Sequence, residues 1–134
     1  MLTSLRDELV QVLMEMSAAG PQSPVSIGVT KMWQQYLAVF SSLLAPSLVN
    51  VMFVRSLEKN RAQFPWLPSV HRNHSRKEFS RLLEESLSIQ SADEVDAATR
   101  AMLNTHIDML FEMIGTTLTV HVVCNLASKR SPLD

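Results

Sequence analysis

The sequence predicts an all-α fold: a single domain built as a six-helix bundle. Three observations carry that prediction. Apolar residues recur at helical spacing along most of the chain, and alternating strand-like patterns flanked by turn pairs are absent. Glycine is scarce, with only Gly20, Gly28 and Gly115, and it combines with proline to punctuate the periodic stretches. The length of 134 residues suits one domain large enough to bury its own core.

The first helix is expected over about Ser4 to Ala18, with Ser4 as its cap and Asp7 and Glu8 in the first turn, where the helix dipole favours negative charge. Leu5, Leu9, Val12, Leu13 and Met16 form its apolar stripe. Gly20-Pro21 stops it, and a loop holding Pro21 and Pro24 runs to Gly28. The second helix is expected from near Thr30, with Met32, Trp33, Tyr36, Leu37, Phe40, Leu43 and Leu44 at helical spacing. Ala45-Pro46 breaks it, because proline disfavours helix just before it and suits the first turn of the next; a third helix then runs from Pro46 to about Asn60, a kinked continuation being the alternative. The segment from Gln63 to Ser69 holds Phe64, Pro65, Trp66 and Pro68 and reads as a stiff connector between residues 1–62 and 75–130. Ser75 with Glu78, and Ser91 with Glu94, have capping-box spacing and open the fourth and fifth helices. Gly115 ends the fifth, and Thr116 or Thr117 starts a sixth that reaches about Ala127.

The two halves also resemble each other. Laid over one another at an offset of seventy, they share eight identities, among them Arg6/Arg76, Glu8/Glu78, Val25/Val95 and Met32/Met102. The apolar register agrees more widely: Leu9/Phe79, Trp33/Leu103, Leu37/Ile107 and Phe53/Val123 pair apolar with apolar. The register suggests two three-helix halves about an approximate twofold. The mismatches then mark specialisation: His106 stands opposite Tyr36, and His121 and Cys124 stand opposite Val51 and Val54.

Charge and composition exclude several functions. Apolar residues make up 46 % and charged residues 19 %, a globular balance, and the net charge of −1 gives no overall pull toward nucleic acid or an anionic membrane. The longest apolar runs are interrupted by Pro46, Asn50, His121 and Asn125 and fall short of the roughly 20 residues a membrane span needs. The first residues lack the pattern of a signal peptide, and the lone Cys124 has no internal partner for a disulfide, so a cytoplasmic setting is expected.

Candidate sites follow from residue type and placement. Tyr36, His106, His121 and Cys124 are candidates for a pocket between the halves, since their polar tips sit on helix faces where a twofold would bring them close. Such a pocket could take a small apolar molecule or haem, although no cofactor is favoured. Phe64, Trp66, His71, Arg72 and Arg76 are candidates for docking a protein partner, because aromatics and arginine dominate interface energetics. No metal site is favoured: His71 and His74 read as part of a basic loop, and no Glu-x-x-His tetrad occurs. Nor is there a nucleophile elbow, a Cys-x-x-Cys, a glycine-rich phosphate loop or a His-Glu-x-x-His. Methionines off the main stripes, Met14 and Met109, suggest a second apolar face and a homodimer. The expected function is a non-catalytic, signalling-associated regulatory or protein-interaction module. A ligand or haem sensor is the rival, and a small helical enzyme using a histidine as acid–base is the weaker third.

Overall fold

In the computed structural model the described residues are 2–18, 24–70 and 74–129, and they form six α-helices with no strand. The helices are α1 (Leu2–Ser17), α2 (Val25–Ser41), α3 (Pro46–Asn60), α4 (Arg76–Ser88), α5 (Ala92–Ile114) and α6 (Thr116–Lys129). The all-α bundle predicted from periodicity is the observed fold.

Local chemistry accounts for most boundaries. Ala45 is extended and Pro46 occupies the first turn of α3, so α2 and α3 are separate helices rather than one kinked helix. At the start of α4, Ser75 Oγ accepts from the Glu78 N–H at 3.2 Å while the Glu78 carboxylate accepts from the Ser75 N–H at 3.0 Å. The Ser75 backbone bond holds the Glu78 carboxyl below its usual range; the Ser75 hydroxyl, His74 and Arg81 pull the same way, against a smaller opposing effect of desolvation. At Ser91 the hydroxyl accepts from the Glu94 N–H at 3.2 Å, but the Glu94 carboxylate accepts from Trp66 Nε1 at 2.9 Å. The expected second capping box is therefore only half made: Ser91 caps the helix, and the Glu94 carboxylate serves the connector instead. Gly115 separates α5 from α6 at φ +87°, where a side chain would strain the backbone even though the space beside it is open.

Four boundaries differ from expectation. The first helix begins at Leu2, so Ser4 lies inside it and Asp7 and Glu8 fall beyond its first turn. The second begins at Val25 rather than near Thr30. Extended Pro24 precedes it, and its carbonyl accepts from the Ile27 N–H at 3.1 Å. Burial of Ser26, Val29 and Thr30 extends the helix through Gly28, and Thr30 Oγ1 donates to the Ser26 carbonyl at 2.7 Å. The second helix ends at Ser41, short of the expected break at Ala45-Pro46. The sixth continues to Lys129. Residues 20–23 of the expected loop lie outside the described residues.

Helix α2 is the hub. It packs against α1, α3, α4, α5 and α6, and α5 packs against α1, α2, α3 and α6. The core facing these two helices includes Leu9, Leu13, Trp33, Phe40, Phe53, Phe79, Met102, Leu103, Ile107 and Val123, each at most 2 % exposed. An aromatic chain threads it. Phe40 lies 5.0 Å from Tyr36, Tyr36 lies 5.5 Å from Trp33, Trp33 lies 5.2 Å from Phe53, and Phe53 lies 5.4 Å from Phe79, measured between ring centres. One chain of rings therefore joins α2, α3 and α4.

Some helix pairings are related by the seventy-residue offset and others are not. Helices α3 and α6 start at Pro46 and Thr116, seventy residues apart. The contacts α1–α5 and α4–α2, α2–α6 and α5–α3, and α2–α3 and α5–α6 are related by the same offset. The contacts α1–α2 and α1–α6 have no counterpart of similar extent at α4. The two breaks also differ in conformation, extended at Ala45 and left-handed at Gly115. The pairings repeat only in part.

The connector closes on the core. Phe64, Leu67 and Val70 are buried, and Trp66 is half-buried with its ring 6.2 Å from that of Phe64. Trp66 packs on the core and its indole N–H is held by Glu94 on α5. Trp66→Ala is therefore expected to destabilise the fold by about 1–3 kcal/mol, less than a fully buried tryptophan would cost. Urea denaturation checks it, and an unchanged midpoint would show that the ring contributes nothing to stability.

Candidate functional site

The side chains expected at a pocket between the halves separate into two places. Tyr36 and His106 meet at the crossing of α2 and α5, both 0 % exposed, with the Tyr36 hydroxyl 2.8 Å from His106 Nδ1. They are partners across the seventy-residue offset. Both rings pack edge to face, 5.0 Å between centres, and the His106 ring also lies 6.2 Å from that of Trp33. His121 and Cys124 lie on the solvent face of α6, exposed, so they do not join the Tyr36–His106 pair.

The bonding of the buried pair assigns its protons. His106 Nε2 is buried and has no partner. If Tyr36 donates to Nδ1, the Nε2–H is the single polar atom left over. If Nδ1–H donated instead, both the hydroxyl hydrogen and the Nε2 lone pair would be stranded. The first arrangement costs less, so Tyr36 is the donor and His106 is the Nε2–H tautomer. Burial pushes the His106 ring down to about 3 and pushes the Tyr36 hydroxyl up, so both are neutral. The buried rings of Trp33 and Phe40 pack against the pair, 5.5 Å and 5.0 Å from that of Tyr36.

The surface holds a different feature. Between α2 and α6 runs a cleft of about 500 Å³. Ala38, Val39, Leu43, Val122 and Leu126 give it an apolar floor, and Gln35, Ser42 and Asn125 add uncharged polar groups. Every residue lining it is neutral, so it contains no acid, base or nucleophile activated by one. Leu43 is 49 % exposed at its edge, in the turn between α2 and α3. The sequence pattern alone missed this cleft. Leu43 is on the expected stripe of α2, but the helix turns away at Ser42, so its side chain faces solvent instead of the core. A second cleft, between α2 and α4, is lined by Thr30, Gln34, Lys77, Glu78, Ser80, Arg81 and Glu84 and carries mixed charge.

The residues expected to dock a partner are spread out. Phe64 is 4 % exposed, and Trp66 is bonded to Glu94. Arg76 is half-buried and its guanidinium donates to Ser41 Oγ, tying the start of α4 to the end of α2. His71 and Arg72 lie outside the described residues. Met14 and Met109 are half-buried and pack against the core, while Met113 and Leu118, either side of Gly115, are 47 % and 40 % exposed. Among the described residues no group of three or more His, Cys, Asp or Glu side chains is placed to hold a metal ion. No helix there is long and apolar enough to cross a membrane.

The chain matches no protein-family model, no curated protein and no solved structure.

Proposed function

We propose that this chain is a non-catalytic helical interaction module, and that it receives an apolar helix face of a protein partner in the α2–α6 cleft. The observation that carries the reading is the lining: a roughly 500 Å³ concavity with an apolar floor, three uncharged polar groups and no ionisable side chain. Such a surface rewards burial of aliphatic side chains and offers no acid–base chemistry. The exposed Leu43 at its edge extends the apolar area a partner could cover. This moves the expected docking surface from the connector, whose aromatics are engaged with the core, to the opposed faces of α2 and α6.

The test pairs capture with a charged variant. Leu43→Glu with Ala38→Glu places two carboxylates in the cleft at positions that are exposed, so the fold is expected to persist with unchanged helicity and melting. A protein retained by the wild-type chain and lost by the double variant supports the reading. Equal retention by both chains, or by neither, sinks it.

A further inference from the structure

Two features of the molecule remain unused by that reading: a fully buried titratable ring, and one of its nitrogens with nothing to bond to. We propose that the Tyr36–His106 pair is an acid-sensitive latch between α2 and α5, in which the fold accepts the His106 ring only uncharged and a proton on it forces the two central helices apart. The geometry carries this. His106 is 0 % exposed and Tyr36 is 0 % exposed. Nδ1 is occupied by the Tyr36 hydroxyl at 2.8 Å, and a second ring proton would have to go there, displacing the hydroxyl hydrogen. Nε2–H already lacks an acceptor, so an imidazolium would bury two donors with at most one partner.

No neighbour compensates the charge. Tyr36 is the only other ionisable side chain buried among the described residues. On α2, Lys31 is exposed; on α1, Asp7, Glu8 and Glu15 are exposed and half-buried Arg6 reaches out to Asp108 at 2.8 Å. On α3, Arg55, Glu58 and Lys59 are exposed; on α6, His121 and Cys124 are exposed. On α4, Lys77, Glu78, Arg81, Glu84 and Glu85 are exposed, and half-buried Arg76 is engaged by Ser41. On α5 itself, Asp93, Glu94, Asp96, Asp108 and Glu112 are exposed, and half-buried Arg100 pairs with Asp96 at 3.0 Å. A charged ring therefore needs water, and water reaches it only if α2 and α5 separate.

The sign follows from the direction of the shift. Burial lowers the ring from its ordinary 6.5 to about 3 in the folded chain, so the unfolded chain binds the extra proton at mildly acid pH and the folded one does not. The contribution is fully present above about pH 6.5 and is lost as pH falls from there toward 3. Between pH 7.5 and 5.0 the unfolding constant is expected to rise about thirtyfold from this ring alone. Glu78, whose carboxyl is held low, adds its loss only further down, as pH falls through the carboxylate range.

Urea denaturation at pH 7.5, 6.5, 5.5 and 5.0 reads the effect. The wild-type chain is expected to show the thirtyfold rise, His106→Gln to show a nearly flat profile, and exposed His121→Gln to keep the wild-type profile. Glutamine can still accept from the Tyr36 hydroxyl but takes up no proton. A His106→Gln profile as steep as wild type overturns the latch. Should that variant fail to fold, proton–carbon spectra of the wild-type histidine rings decide. In the native state the His106 ring signals are expected to hold their neutral positions down to about pH 5. Titration of that ring in the intact fold near its ordinary value overturns the proposal.

Discussion

Trp33→Ala is expected to destabilise the chain by about 3–5 kcal/mol, the cost of removing a fully buried large aromatic. For a domain of this size that lowers the melting temperature by roughly 10–20 °C. Trp33 is 2 % exposed and sits at a branch of the aromatic chain, edge to face with Tyr36, Phe53 and His106. Those rings come from α2, α3 and α5, so truncation leaves a cavity at the meeting point of three helices. A relaxed core could fill part of that volume, which would bring the loss to the lower end of the range. Thermal and urea unfolding check it together. A shift of only a few degrees would mean that the ring chain is not a principal support of the bundle.

The second large effect is a coupling rather than a single loss. Tyr36→Phe removes the donor to His106 Nδ1 and strands a second buried nitrogen beside Nε2, at a cost of about 1–3 kcal/mol at neutral pH. His106→Leu strands the Tyr36 hydroxyl but also removes the orphaned Nε2, so its cost is smaller. The double change Tyr36→Phe with His106→Leu leaves no unpaired polar atom at the crossing. It is expected to be more stable than Tyr36→Phe alone, despite carrying one more substitution. Losses that simply add, within about 0.5 kcal/mol, would show that the 2.8 Å contact carries no coupling energy.

The coupling bears on why a polar pair stands in an otherwise apolar crossing. A Phe–Leu pair would fill the same space without the orphaned nitrogen. The tyrosine–histidine pair gives up stability at neutral pH and makes the α2–α5 contact depend on proton concentration. If the α2–α6 cleft receives a partner, the same dependence reaches that surface, because α2 forms one wall of the cleft and carries Tyr36 on its core side.

Much of the fold is legible in the sequence because helix signals are local. Periodic apolar residues, Ser75 and Ser91 before their glutamates, Pro46 in a first turn and Gly115 between two helices are read from neighbours within one or two turns. Where a boundary depended on burial from elsewhere, the local signal failed. Val25 to Val29 resembles loop because Pro24 and Gly28 flank β-branched residues. It is helix because Ser26, Val29 and Thr30 find the core.

Side-chain partners were a different matter. The offset of seventy placed Tyr36 and His106 at matching positions, and they do meet, but the same register paired His121 and Cys124 with valines of the first half and both face solvent. Trp66 lies in a proline-rich connector, and nothing local to it points to Glu94, twenty-eight residues on, which accepts its indole hydrogen.

The class of fold, the helix order and the lack of common catalytic motifs follow from residue type and short spacing, and the unaided sequence was enough for each. Three features needed the packed helices: His106 sealed with one nitrogen unpaired, the connector folded into the cover of the core, and the neutral cleft left between α2 and α6. They depend on which helix faces meet, and the free energies that choose among faces are sums over contacts far apart in the chain.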